Sequence, residues 1–264
     1  MPTYTLLGAS GSTGSAILRY LLSSPTEGLK LNILVRNKPK LLKAFPRLEE
    51  TTTPTIRITE GSSTDVTGLH HVLSSTSVLF MCVGDNESKP GVSLVYDSVA
   101  AILSTLQTLR DSEGSQYRIP TVIQLRSASL NPNLSKQAPW LVLQIVEFCQ
   151  HYEYKDVVHA CDLYASSAQE GLLTYIFVDP PALHDPLGTE RTGHKLISVE
   201  KQSISINYAD LGAAMCEVAD RRTEFLGKGV GVSATGKVRQ TWGTLVWYLV
   251  LGVKHRLWEW LPAL

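Results

Sequence analysis

The stretch Tyr4-Thr5-Leu6-Leu7-Gly8-Ala9-Ser10-Gly11-Ser12-Thr13-Gly14 decides how the rest of the chain is read. Tyr4–Leu7 is a strand-like run, and a helical period begins at Thr13. Between them the glycines fall at GxxGxxG spacing, a relative of the GxGxxG turn that joins first strand to first helix in dinucleotide-binding sheets. Gly8 permits the tight turn, Gly11 lets the backbone approach a pyrophosphate, and Gly14 lets helix pack closely on strand. The helix start offers free N–H groups and partial positive charge to phosphates. Ser10, Ser12 and Thr13 add hydroxyl donors.

Outward from this turn, apolar β-branched runs alternate with longer segments of helical period, the mark of repeated βα units. Strands are expected near Tyr4–Leu7, Leu31–Val35, Ile56–Thr59, Val78–Val83, Thr121–Leu125 and Thr174–Val178. Helices are expected near Thr13–Ser23, Pro39–Ala44, Val66–Leu73, Val92–Leu109, Trp140–Ser167 with a break around His151–Glu153, and from Tyr208 to Arg221. From Asp179-Pro180-Pro181 the rhythm changes, and Pro, Gly and His crowd Pro186–His194 as in a loop that folds over a site. The expected fold class is α/β: a Rossmann-type doubly wound parallel sheet over residues 1–180. Residues 181–264 would form a smaller substrate-facing lobe and a C-terminal helix within the same structural unit.

Composition narrows the function. Over 264 residues, 44% are hydrophobic and 18% charged, and the formal net charge is zero. That suits a buried enzyme core and gives no electrostatic footprint for nucleic acid. Cys82, Cys149, Cys161 and Cys216 form no close pair or metal-ligand spacing, so reduced thiols are expected. No HxH, HExxH or GxSxG pattern occurs, so neither a zinc site nor a serine hydrolase is supported. The N-terminus enters a strand at once and lacks a signal-peptide pattern. The cytoplasm is the expected compartment.

The apolar run Leu245–Val253 falls far short of the roughly 20 residues that span a bilayer. Three readings fit the tail Trp242–Leu261: a helix packed on its own domain, a homodimer contact, or a membrane-surface anchor built on Trp247, Trp258 and Trp260 with Lys254 and Arg256.

The second strand ends in Arg36-Asn37-Lys38, where NAD-specific sites usually place a carboxylate for the ribose 2′-hydroxyl. A guanidinium at that position pairs with a 2′-phosphate instead, so NADP(H) is the expected cofactor. The alternative for Arg36 is a solvated surface residue. Asp65, after the third strand, either meets the adenine or caps the next helix. Cys82-Val83-Gly84 closes the fourth strand beside the expected cofactor ribose.

The fifth strand ends in Arg126-Ser127-Ala128-Ser129, and strand carboxyl ends face the cofactor crevice in such sheets. Downstream stands His151-Tyr152-Glu153-Tyr154-Lys155. The glycine turn, the Val-Arg end of strand two, the serines of strand five and the run Leu173–Pro180 together resemble the atypical and extended short-chain dehydrogenase/reductases, NmrA-like proteins included. The opening turn and the run Leu34–Pro46 are especially similar to the averufin oxidase family, fungal oxidoreductases that tailor aromatic polyketides. The broad resemblance spans most of residues 3–215, and the narrower one rests on the first half.

The resemblance implies a Tyr with a Lys four residues later and a nearby Ser. It puts Tyr154 at the tyrosine position, Ser127 or Ser129 at the serine position and Asp162 at a downstream acidic one. The lysine position holds Val158, which cannot stabilise a phenolate. On a helix His151 lies about 60° from Tyr154 and Lys155 about 100° away, so His151 is the better-placed substitute. Structural packing of Tyr154 and His151 is the competing reading. In the distal loop His184, Asp185 and His194 could reach a substrate from the lid side. The expectation is an NADP(H)-dependent reductase or dehydrogenase for a small organic substrate, by resemblance an aromatic polyketide. A non-catalytic NADP(H) sensor and a redox-neutral isomerase or cyclase are the alternatives.

Overall fold

Leu6 and Leu7 point to opposite faces of one strand and both are buried, as in a parallel sheet covered on both sides. The computed structural model describes residues 2–24, 26–85 and 87–258. It builds the sheet from β1 (Thr3–Leu7), α1 (Ser12–Ser23), β2 (Lys30–Val35), α2 (Lys38–Ala44), β3 (Thr55–Glu60), α3 (Val66–Leu73) and β4 (Val78–Met81). Next come α4 (Leu94–Glu113), β5 (Thr121–Leu125), α5 (Trp140–Cys149), α6 (His151–Gln169) and β6 (Thr174–Asp179). Each expected strand and helix of this half is present, and the expected break between α5 and α6 falls at Gln150.

The remainder is β7 (Ala182–His184), β8 (His194–Ile197), β9 (Ser205–Asn207), α7 (Tyr208–Asp220), β10 (Gly229–Ala234) and α8 (Trp242–Trp258). Among the described residues the main sheet has eight strands in the order β3-β2-β1-β4-β5-β6-β10-β8, with β7 and β9 paired separately. All neighbours in it are parallel except β10 with β8. The strand order reverses between β1 and β4, which opens a crevice above their carboxyl ends.

Alternate side chains supply two cores. Leu6, Ile33, Phe80, Ile123 and Val178 face the layer of α1 and α7, while Leu7, Leu34, Met81, Val122 and Phe177 face α3, α4 and α6. The segment after residue 180 is thus more than a cover: β8 and β10 extend the sheet, and α7 packs on α1. Buried carboxylates tie these pieces together. Asp156 of α6 accepts from Val95 N (2.9 Å) and Tyr96 N (2.8 Å), which caps α4 from another helix. Asp210 of α7 accepts from Thr192 N, Thr192 Oγ1 and Gly193 N at 2.8–3.0 Å, which pins the loop before β8.

The tail helix α8 packs against α5 and β7, the first of its three expected readings. Their outward face keeps Trp140, Leu141, Ile145, Trp247 and Val250 exposed. Trp260 and the end of the tail lie outside the described residues. No helix among the described residues is long and apolar enough to cross a membrane.

Candidate active site

The glycine turn is closed by a hydrogen bond from Gly11 N to Gly8 O (2.9 Å). Gly8 sits at φ +83°, in the left-handed region that a side chain rarely adopts. A Cβ on Gly14 would collide with the Gly8 carbonyl, so helix and strand meet there backbone to backbone. Gly11 caps α1 without a side-chain hydrogen bond, and no acidic residue stands in the first turn. The first N–H groups of α1 are therefore left for an anion.

Two cavities meet above the sheet. The smaller, about 230 Å³, lies over the switch point and is lined by Gly11, Ser12, Thr13, Cys82, Val83, Gly84 and the end of β5. A Cβ on Gly84 would touch nothing within 4 Å, so the protein itself does not require glycine there. The larger, about 580 Å³, is walled by Pro180, Pro181, Leu183, Pro186, Leu187, Val146, Leu249, Tyr208 and Tyr248. Ser127, Glu153, Tyr154 and Tyr208 line both cavities and form the wall between them.

Ser127 and Tyr154 are brought together: Ser127 Oγ and the Tyr154 hydroxyl are 3.0 Å apart. Ser129 N donates to Ser127 Oγ at 3.3 Å, and Ser129 lines the larger cavity. Burial pushes the Tyr154 phenol above its ordinary range, partly opposed by hydrogen bonds from Ser127 and Ser129. It is a neutral donor at physiological pH.

Arg126 lines the same two cavities. Burial works against its charge, but the hydrogen bonds and charge of Asp179 outweigh it and raise its pKa. Nε and Nη2 each donate to Asp179 at 2.7 Å, and Asn131 Nδ2 donates to the same carboxylate at 2.6 Å.

The other expected residues divide. Arg36 is exposed just after β2 and lines neither cavity. Lys38 Nζ is bridged to Glu49 at 2.7 Å, and Asn37 caps α2. Asp65 accepts from Thr67 N at 3.1 Å as the cap of α3, the second of its two readings. His151 opens α6, packs edge-on against Tyr152 with ring centroids 5.0 Å apart, and lines neither cavity. Asp162 also lines neither.

The distal-loop residues are engaged in structure. His184 Nδ1 accepts from Thr241 N at 2.9 Å, holding α8 to β7, and His194 pairs with Glu217. Asp185 N donates to Thr241 Oγ1 at 2.9 Å.

Val158, at the lysine position, is exposed and lines neither cavity. The i, i+4 pair that does face the crevice is Glu153–Val157. The family pattern names a phenol and a residue four positions later, so it selects Tyr154 and Val158 and passes over Glu153. Glu153 lines the larger cavity together with Tyr208 and Tyr248, residues far from it in sequence.

The fold and glycine turn agree with comparison to known proteins. The profile of the NAD(P)H-binding family matches residues 8–222. Averufin oxidase A of Dothistroma septosporum is 56% identical, covering 98% of this chain and 93% of its own length. Averufin oxidase A of Aspergillus flavus is 51% identical, covering 98% of this chain and 92% of its own. Among solved structures, a short-chain dehydrogenase/reductase of Veillonella parvula in complex with NADP superposes with a TM-score of 0.62. That structure shares 20% identity, covers 89% of this chain and 95% of its own, and supports the fold. The chain belongs to the NAD(P)H-binding family, within the group of averufin oxidases that it matches along almost its whole length.

Proposed function

We propose that the chain is an NADP(H)-dependent oxidoreductase acting on a flat, apolar, hydroxylated substrate of the aromatic polyketide class, as the names of its relatives suggest. The observation that carries it is the Ser127–Tyr154 pair, 3.0 Å apart, in the wall between the crevice over the glycine turn and the larger cavity. A substrate carbonyl or carbinol oxygen at that wall would meet two hydroxyl donors. Proline and leucine walls suit a planar ring system, and Tyr208 and Tyr248 offer phenol groups to its hydroxyls. Gly8, Ser10, Gly11, Ser12, Thr13 and Gly14 would hold the pyrophosphate, with Cys82, Val83 and Gly84 beside the ribose. When bound, the dinucleotide supplies or accepts hydride, and the substrate-facing part of residues 181–264 is β7, the Pro186–Leu187 turn and α8.

Arg36 would grip the 2′-phosphate. Arg36→Glu is expected to weaken NADPH binding about 10–100-fold, as loss of a charge-assisted hydrogen-bond pair implies, and to leave NADH binding within a few-fold. Calorimetric titration with both cofactors measures this, and equal affinities in the unaltered protein would refute the NADP(H) assignment.

We read the exposed face of α5 and α8 as a contact between two copies of the chain. Light scattering should give twice the chain mass, and Trp247→Glu should halve it. A monomer at tens of micromolar concentration would end that reading. Four free cysteines, none paired among the described residues, suit the cytoplasmic location we propose.

A further inference from the structure

The oxidoreductase reading leaves the reaction proton without an owner. A substrate alcohol loses a proton as well as hydride, and the position at which related enzymes carry lysine is Val158, which is turned out of the site. Burial holds the Tyr154 phenol neutral, so it is not a base for the alcohol proton in the oxidative direction. His151 packs against Tyr152.

One titratable carboxyl group does stand in the wall shared by crevice and cavity. Glu153 precedes Tyr154 on the first turn of α6 and lines both spaces. We propose that Glu153 is the catalytic acid–base residue, exchanging its carboxyl proton with the substrate oxygen that Tyr154 and Ser127 orient. The inference rests on the oxidoreductase reading above.

In the oxidative direction the substrate O–H proton passes to the Glu153 carboxylate. The carbinol C–H bond breaks, its hydrogen leaving with both electrons as hydride for the oxidised dinucleotide. The products are a ketone, a neutral carboxylic acid and the reduced dinucleotide, so atoms and charge balance. Reduction runs the same transfers backward.

The surroundings suit a group that changes charge near neutrality. Burial pushes Glu153 up to about 7, helped by the negative charges of Asp85 and Asp156. Asp156 is fixed on the α4 amides, and Asp85, after β4, lies 3.6 Å from Lys89. The cation of the shared wall, Arg126 just after β5, is paired with Asp179 through Nε and Nη2. Tyr208 from α7 is held neutral, pushed up to about 12 by burial and then by Tyr248 and Glu153. Tyr248 from α8 lines the larger cavity, and Glu147 of α5 acts on the neighbouring Tyr154. An acid–base catalyst works best when its pKa lies near the working pH, and the charge arrangement around Glu153 provides that.

The test begins with the protein free of substrate. Carbon-13 carboxyl labelling of glutamate should show one resonance titrating near 7, absent in Glu153→Gln. In Glu153→Asp that resonance should be replaced by an aspartate carboxyl of raised pKa. With NADP+ and a secondary alcohol carried on an aromatic ring system, such as 1-tetralol, the rate of oxidation by the unaltered enzyme should rise with pH through about 7. Glu153→Gln should lose about 10²–10⁴-fold in kcat and lose that limb, with NADPH affinity unchanged by calorimetry. A Glu153 carboxyl that titrates in the ordinary range, or a Gln variant that keeps the limb, would overturn the proposal. Absence of any dinucleotide binding would instead refute the oxidoreductase reading, which separates the two failures.

Discussion

Asp179→Ala is expected to destabilise the fold by about 3–5 kcal/mol, the usual cost of removing one member of a buried ion pair. The side chain is fully buried at the end of β6, and both oxygens are engaged. Its removal leaves the Arg126 guanidinium, 12% exposed, without a counter-charge beneath the Phe177 ring at 4.5 Å. It also leaves Asn131 Nδ2 without its 2.6 Å acceptor. Gly229 on β10 packs so closely on this cluster that a Cβ there would lie 2.5–2.8 Å from Asp179, Arg126 and Asn131.

The damage should reach the site, since Ser127 follows Arg126 in the chain and its position sets the contact with Tyr154. Urea unfolding followed by circular dichroism reads the stability change, and a loss under 1 kcal/mol would contradict this account. Asp179→Leu combined with Arg126→Met should recover much of the loss, because exchanging a whole buried pair for apolar groups is often neutral. The recovery would show that the single variant fails through the stranded cation rather than through lost packing.

That cluster also explains where the sequence stopped being legible. The first six strands announced themselves because both faces are buried, so each reads as an apolar run bounded by helical segments. β10, Gly-Val-Gly-Val-Ser-Ala from Gly229, does not read that way. Gly229 is dictated by the ion pair, and Gly231 by Ile197 and Leu134, against which a Cβ would press at 2.7 Å. Both reasons are tertiary and invisible in a window of neighbours. β7, β8 and β9 are three or four residues long, too short for alternation to register. Residues 181–264 therefore looked like a lobe, although part of them completes the sheet.

The site shows the same division. Gly8 and Gly14 were legible because a local turn demands them, and Ser127 and Tyr154 because a family pattern names them. Asp65 had two readings, and the hydrogen bond it accepts from Thr67 N carries the capping one. His184 and His194 looked like lid residues, but a histidine's role depends on partners distant in sequence, here Thr241 and Glu217. Glu153 lacked any local signal: a glutamate on a polar helical turn is normally solvated, and only the cavity around it makes it otherwise.

Tyr154→Phe is expected to lower kcat by about 10²–10³-fold with little change in KM, the cost of removing one donor from a site that stabilises developing charge on oxygen. Burial holds the phenol neutral, so its contribution is a hydrogen bond, not a proton lost to solvent. Ser127→Ala should cost less, and the double variant should fall short of the sum, because the two hydroxyls 3.0 Å apart act as a unit. The pH profile separates Tyr154 from its neighbour. A donor that stays neutral throughout the working range leaves the profile unmoved, so Tyr154→Phe should be slow at every pH yet retain the limb near 7. If the phenylalanine variant instead lost that limb, Tyr154 would be the titrating group and the division of labour along the first turn of α6 would be reversed. Activity of Tyr154→Phe within threefold of the unaltered enzyme would remove the Tyr154 hydroxyl from the chemistry.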